Sequence, residues 1–270
     1  MHLGLIGYGS IGNELLGLIE GLPVERITIL VREGRENVAR DRLLSAHPGL
    51  EGRAAILSDG DAFLVARPDF VIEAAGHEAV CANAEKVLAA GIDLVLVSVG
   101  ALADEALHQR LRDTAARSGA RLILPSGAIG GIDLLAALAP AGDLKVRYFG
   151  AKPPQAWAGT PAAQATDLEA LAHAEQIFHG TAREAATAYP RNANVAATLA
   201  LAGAGFDATE VTLTADPAAQ GNSHRYEVVS PLATVSVEIS NRAGSNARTS
   251  LATVYSVLRE LKNHLGPVSI

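Results

Sequence analysis

The sequence predicts an α/β chain: a parallel-sheet domain with helices on both faces, into which an α+β domain is inserted. Three observations predict it. Short apolar runs alternate with helical stretches through the first half of the chain. Gly7-Tyr8-Gly9-Ser10-Ile11-Gly12 lies between the first such run and the first helical stretch. Beyond Pro125 the β-rich runs crowd together, which suits a mainly antiparallel sheet.

The elements follow in order. Leu3–Ile6 and Ile27–Val31 read as strands, with a helix at Ile11–Ile19 between them and another at Glu36–Ala46 after them. Ala55–Leu57 is a weak strand. Phe70–Ala74, Leu94–Val97 and Leu122–Leu124 are short, continuously apolar runs of the kind buried in parallel sheets. Ala79–Ala90 and Asp104–Arg117 place apolar residues at helical spacing between them. In the second half, Lys145–Ala151 reads as a strand, followed by a loop containing Pro153, Pro154 and Pro161. Helices are expected at Asp167–Phe178 and Asn194–Leu201, and strands at Glu210–Ala215, Arg225–Ser230 and Thr234–Ser240. Pro231-Leu232-Ala233 is short enough to make the last two a hairpin. Ser250–His264 closes the chain as a helix with Leu251, Val254, Tyr255, Leu258 and Leu261 on one face, stopped by Gly266-Pro267. The domains expected are 1–125 plus 245–270, for the parallel sheet, and 126–244, for the inserted unit.

Composition bounds the function. The chain has 270 residues, long enough for two domains and a core that needs no disulfide or metal. Its 22 Lys+Arg against 29 Asp+Glu give a net charge of −7 without a basic run, so there is no nucleic-acid footprint. A single Cys excludes a disulfide framework and fits a reducing compartment. No run reaches the length of a membrane span, and Met1–Ile6 lacks the features of a leader, so a soluble cytoplasmic protein is expected. Thiolate clusters are excluded and neither H-x-x-x-H nor H-E-x-x-H occurs, so no metal site is expected. Cys81, in the helix after Gly76, is expected to be a small buried apolar residue.

The first motif matches G-x-G-x-x-G in the context that gives it meaning, after a strand and opening a helix. Gly7 permits the tight turn, Gly9 the close approach of a pyrophosphate, and Gly12 close packing of helix on strand. Ser10 and Ile11 begin the helix whose free N–H groups face the phosphates. A Rossmann dinucleotide-binding domain using NAD or NADP follows. The acid that binds a ribose is expected about 20 residues past the motif. Arg32 stands there instead. Its guanidinium suits a 2′-phosphate, which favours NADP alone or beside NAD. The alternatives are that Arg32 faces solvent and that Glu33 reaches the ribose. Ala75 and Gly76 follow the fourth strand, and Ser98 the fifth, at the carboxyl ends where such sheets place ligands. His77 reads as the start of a helix without a chemical role.

Five further segments form a specific set. They are Pro125-Ser126-Gly127-Ala128-Ile129-Gly130-Gly131; Lys152-Pro153-Pro154; Tyr189-Pro190-Arg191-Asn192-Ala193-Asn194-Val195-Ala196; Ala215-Asp216-Pro217-Ala218 with Asn222-Ser223-His224; and Thr249-Ser250-Leu251-Ala252-Thr253-Val254-Tyr255-Ser256. In this order, with the N-terminal motif, they resemble the L-aspartate dehydrogenase family over essentially the whole chain. The resemblance implies oxidation of L-aspartate to iminoaspartate, which feeds NAD biosynthesis, and the reverse amination of oxaloacetate with ammonia. It implies that Ala128 and Asn194 contact the nicotinamide cofactor and that His224 is catalytic. It also implies a homodimer, which would cover a sheet face otherwise left open.

The residues by themselves agree. Oxidising an amine at Cα needs a proton acceptor near neutral pH, and His is the natural one. Two substrate carboxylates need cations or donors, for which Lys152, Arg191 and Asn192 are candidates beside the hydroxyls of Ser98 and Ser126. His2, His47, His108, His173, His179 and His264 read as solvated. The rival readings are a homoserine dehydrogenase, a dihydrodipicolinate-type reductase, and a dinucleotide-binding sensor without turnover. The first two lack their characteristic segments here, and the third has no use for a proton acceptor.

Overall fold

A computed structural model describes residues 1–241 and 250–269. It divides into two compact units, Met1–Pro125 with Val254–Ile270, and Ser126–Thr253. The junction expected between 244 and 245, and Thr249 of the last segment, lie outside the described residues.

The first unit runs β1 (His2–Ile6), α1 (Ser10–Leu18), β2 (Arg26–Leu30), α2 (Glu36–Ala46), β3 (Ala54–Leu57), α3 (Gly60–Val65), β4 (Phe70–Glu73), α4 (His77–Ala89), β5 (Asp93–Leu96), α5 (Glu105–Ser118) and β6 (Leu122–Ile123). Its six strands lie in the order β3-β2-β1-β4-β5-β6, every neighbouring pair parallel. Leu3, Leu5, Ile27, Ile29, Phe70, Ile72 and Val95 are all buried, because helices cover both faces. The order reverses between β1 and β4, so the chain leaves their carboxyl ends on opposite sides of a crevice.

The second unit runs α6 (Ile132–Leu138), β7 (Lys145–Lys152), α7 (Ala162–Ala165), β8 (Glu175–Thr181), α8 (Ala182–Ala188), α9 (Asn194–Ala202), β9 (Thr209–Ala215), β10 (Ser223–Val229) and β11 (Thr234–Ser240). Its five strands lie in the order β11-β10-β7-β9-β8. β7 and β9 are parallel and the other pairs antiparallel. Alternation sets the faces. Val146, Tyr148 and Lys152 of β7 and His224, Tyr226 and Val228 of β10 are buried on one face. The other face carries Arg147 and Arg225, which pair with Glu227 at 3.5 and 3.2 Å. Ala196, Ala197 and Ala200 of α9 are buried and give that helix a smooth face for the sheet.

Finally α10 (Leu251–Leu265) returns the chain to the first unit, where Val254, Val257, Leu258 and Leu261 join the core cluster. The apolar face is therefore rotated from expectation. Leu251 and Tyr255 are exposed, and Val257 takes their place inside. Among the described residues no helix is long and apolar enough to cross a membrane.

Other expectations are corrected. No helix forms over Asp167–Phe178. Residues 166–174 make turns, and Glu175–Thr181 is the edge strand β8. Helix propensity is a weak prior there. Strand pairing satisfies the backbone edge of β9, and Phe178 meets the edge of the Tyr189 ring at 5.5 Å. Helices α3, α6, α7 and α8 were not expected. The Thr181/Glu184 capping box of α8 was legible as T-x-x-E, and Asp59 caps α3 by accepting from Ala62 N at 2.7 Å. Cys81 is exposed, because α4 buries Val80, Ala84, Val87 and Leu88 and turns Cys81 outward. His2 is not solvated: it is buried, with Nε2 2.8 Å from Thr28 Oγ1. His264 is half-buried against the Phe70 ring, centroids 4.3 Å apart.

Candidate active site

In the first unit the glycine loop leads from β1 into α1. Gly7 has φ +95°, and a Cβ there would lie 2.6 Å from Ala75 Cβ. A Cβ on Gly12 would lie 2.7 Å from Gly7 O, whereas at Gly9 nothing stands within 4 Å. Two glycines therefore let the chain close on itself, and one keeps a space open. Gly9 caps α1 without a side chain, so the N–H groups of the first turn, at Ser10 and Ile11, face outward as an anion cradle. This chemistry fits the pyrophosphate of a dinucleotide.

Two residues around that loop were not singled out from sequence. Glu73, at the end of β4, is only 1% exposed. Its carboxylate accepts from Ala75 N at 2.7 Å, Gly76 N at 2.8 Å, Ser98 N at 3.0 Å and Ser98 Oγ at 2.9 Å. Burial pushes its pKa up while these donors pull it down. One buried carboxylate thus ties together the loops after β4 and β5. Arg42 of α2 lies 5.3 Å over the Tyr8 ring and donates to Tyr8 O at 3.3 Å. Arg32 is exposed two residues past β2. His77 does begin α4; its Nε2 is buried with no hydrogen-bond partner among the described residues.

In the second unit, Lys152 ends β7 and His224 lies near the start of β10, 6% and 2% exposed. Lys152 Nζ donates to Asn192 O at 3.4 Å and lies 5.5 Å from the centre of the Trp157 ring. Among the described residues no carboxylate pairs with it, and burial lowers its pKa to about 8. His224 Nδ1 is 2.7 Å from Tyr148 Oη. Its Nε2 is buried with no partner among the described residues, as is Asn222 Oδ1. Burial, and secondarily the charge of Lys152, push the imidazole down to about 3. His224 is therefore neutral at neutral pH, with one ring nitrogen held and the other available.

Of the expected carboxylate-binding residues, the structure brings together Lys152 and Asn192. The Asn192 amide is partly committed, since Nδ2 donates to Ala156 O at 2.9 Å. Arg191 is exposed on the turn before α9. Asn194 opens α9, and its carbonyl accepts from Thr198 Oγ1 at 3.0 Å. Ala128 is buried, in a segment held from β10 and from the residue after β11: Asn241 Nδ2 donates to Ala128 O at 3.1 Å and Tyr226 Oη to Gly130 O at 2.8 Å. Tyr148 was missed because only the strand register brings it to His224.

Comparisons with known proteins bear on both units. A family described as "Homoserine dehydrogenase, NAD binding domain" matches residues 7–125, and "Aspartate dehydrogenase, C-terminal" matches residues 133–264. The chain is 42% identical to the L-aspartate dehydrogenase of Cupriavidus necator over 272 residues, covering 100% of both chains. It is 44% identical to L-aspartate dehydrogenase 2 of Bordetella pertussis, covering 100% of this chain and 98% of that one. Among solved structures, the aspartate dehydrogenase of Thermotoga maritima superposes with TM-score 0.75 at 28% identity, covering 100% of this chain and 99% of that one. A dihydrodipicolinate reductase from a Paenisporosarcina species shares the fold alone, with TM-score 0.55 at 14% identity, covering 98% of this chain and 94% of that one.

Proposed function

Because the chain belongs to the L-aspartate dehydrogenase family, we propose that it oxidises L-aspartate to iminoaspartate with His224 as the proton acceptor. The dehydrogenase activity follows from similarity along the full length of the chain. The observation that supports His224 is a buried neutral imidazole with one nitrogen hydrogen-bonded and the other without a partner among the described residues.

The Cα–H bond breaks and its electron pair leaves as hydride, the nitrogen lone pair closes the C=N bond, and a proton leaves nitrogen. A bound nicotinamide dinucleotide supplies the hydride acceptor. His224 Nε2 takes the proton. Lys152 faces one substrate carboxylate, with Arg191 and the remaining N–H of Asn192 as donors to the other. An incoming carboxylate beside Lys152 offsets the positive charge that lowers the basicity of His224, so the substrate itself makes the imidazole a better base. Iminoaspartate then feeds NAD biosynthesis or hydrolyses to oxaloacetate and ammonia; the reverse reaction aminates oxaloacetate.

We assign dinucleotide binding to 1–125 plus 245–270, through Gly7, Gly9, Ser10, Ile11, Gly12, Ala75 and Gly76, and catalysis and dimerisation to 126–244. Ala128 and Asn194 would contact the nicotinamide. Arg32, exposed two residues past β2, and Arg42, over the Tyr8 ring of the glycine loop, offer two guanidinium groups suited to a 2′-phosphate, which supports use of NADP alone or beside NAD. We further propose a homodimer, supported by the exposed face of the second sheet that carries Lys145, Arg147 and Arg225, in the cytoplasm, supported by the single Cys.

The test is absorbance at the reduced-nicotinamide band, with L-aspartate and either NAD or NADP at alkaline pH. D-aspartate, L-glutamate and L-homoserine are the controls. A signal with L-aspartate alone is expected. A signal with L-homoserine instead would overturn the substrate.

A further inference from the structure

We propose that Tyr148 is the positioning residue of the site: its hydroxyl holds the His224 imidazole with Nε2 free to take the proton, and Gly150 supplies the gap through which it reaches. This rests on His224 being the base. β7 and β10 are antiparallel, with Gly150 opposite His224 and Tyr148 opposite Tyr226. Tyr148 and His224 are therefore diagonal neighbours on one face, a separation that an aromatic side chain spans. The direct cross-strand neighbour of His224 is a glycine. A Cβ there would lie 2.5 Å from Tyr148 Oη and 2.9 Å from its Cζ, so any larger residue at 150 would displace the phenol. The two rings lie 19° from parallel, with centroids 6.1 Å apart, and the contact from Oη to Nδ1 is 2.7 Å.

The chemistry suits a hydroxyl. With Nε2 unprotonated, Nδ1–H donates to Oη. Once Nε2 has taken a proton, the same bond persists, because the phenol oxygen accepts in both states. No heavy atom need move between base and conjugate acid. A phenol also carries no charge at working pH, so it orients the ring without fixing the imidazolium as a carboxylate would.

Tyr148→Phe keeps the ring and removes the hydroxyl. We expect kcat to fall about 10- to 100-fold, the scale of lost orienting partners. KM for L-aspartate and Kd for the dinucleotide should stay within about twofold. In single-turnover measurements on His224→Ala, adding Tyr148→Phe should cost nothing more, since the hydroxyl acts only through the imidazole. Two-bond ¹H–¹⁵N correlation should show one His224 tautomer in the parent protein and an altered population in Tyr148→Phe. Gly150→Ala, which displaces the phenol without deleting it, should reproduce both effects if Tyr148→Phe folds poorly. Parental kcat in either folded variant, an equal loss in the His224→Ala background, or an unchanged tautomer would overturn the role of Tyr148. An active His224→Ala would instead remove the base, and this proposal with it.

Discussion

Lys152 and His224 are a buried ammonium and imidazole with no carboxylate to pair either among the described residues, and such groups oppose folding unless something else requires them. Lys152 shows the cost in its direction: its pKa drops from 10.5 to about 8 on folding. The unfolded chain binds the extra proton between those values, so the cost is present below about pH 8 and is relieved as pH rises toward 10.5. His224 carries the same sign in a lower window: its folded pKa also lies below the ordinary value, so no cost is present above pH 6.5 and one grows as pH falls toward about 3. Lys152→Met should therefore keep or raise the melting temperature while raising KM for L-aspartate by roughly 10- to 100-fold, an ion-pair loss of about 1.5–3 kcal/mol. It should also raise the His224 pKa, read by NMR titration, though burial keeps it below the ordinary value. A destabilised variant with unchanged KM would show Lys152 to be structural. His224 and Lys152 were legible as residue types in segments; their burial and mutual influence were not, because those depend on which face β7 and β10 turn inward.

At the scale of elements, the glycine loop separates structure from binding. Gly12→Ala meets Gly7 O and should lower the melting temperature. Gly9→Ala meets nothing, so it should leave the melt unchanged and weaken dinucleotide binding about 10-fold, measured by fluorescence titration. Equal effects of the two on stability would contradict this division. Glu73→Gln keeps the shape but turns an amide N–H₂ toward backbone donors. A loss of about 2 kcal/mol and weaker dinucleotide binding are expected, read by thermal melting and the same titration. Parental values would show the loops to hold themselves. The parallel strands were legible because they are buried on both faces and so read as plain apolar runs. Strand β8 was not, since Ala-rich, Leu-containing sequence before it has helical character and only pairing with β9 decides otherwise. Glu73 was hidden for a related reason: a lone carboxylate ending an apolar strand gains its meaning from donors on two loops, one of them 25 residues away.

Across the whole molecule, the glycine loop lies in one unit and the buried imidazole proposed as the base in the other. Both segments were legible in the order of motifs along the chain, because each motif is local: a turn, a cap, a strand end. What lay beyond the sequence was the orientation of side chains across strands, which sets Tyr148 on His224 and turns Cys81 out and His2 in. Dimerisation is tested by sedimentation equilibrium, where a single dimeric species is expected and a monomer at assay concentration would remove that proposal. The most direct test of the whole account is turnover of His224→Ala at saturating L-aspartate, measured beside its dinucleotide Kd. The account predicts a fall in kcat of about 10²- to 10⁴-fold with Kd unchanged. Turnover within a few-fold of the parent would contradict it.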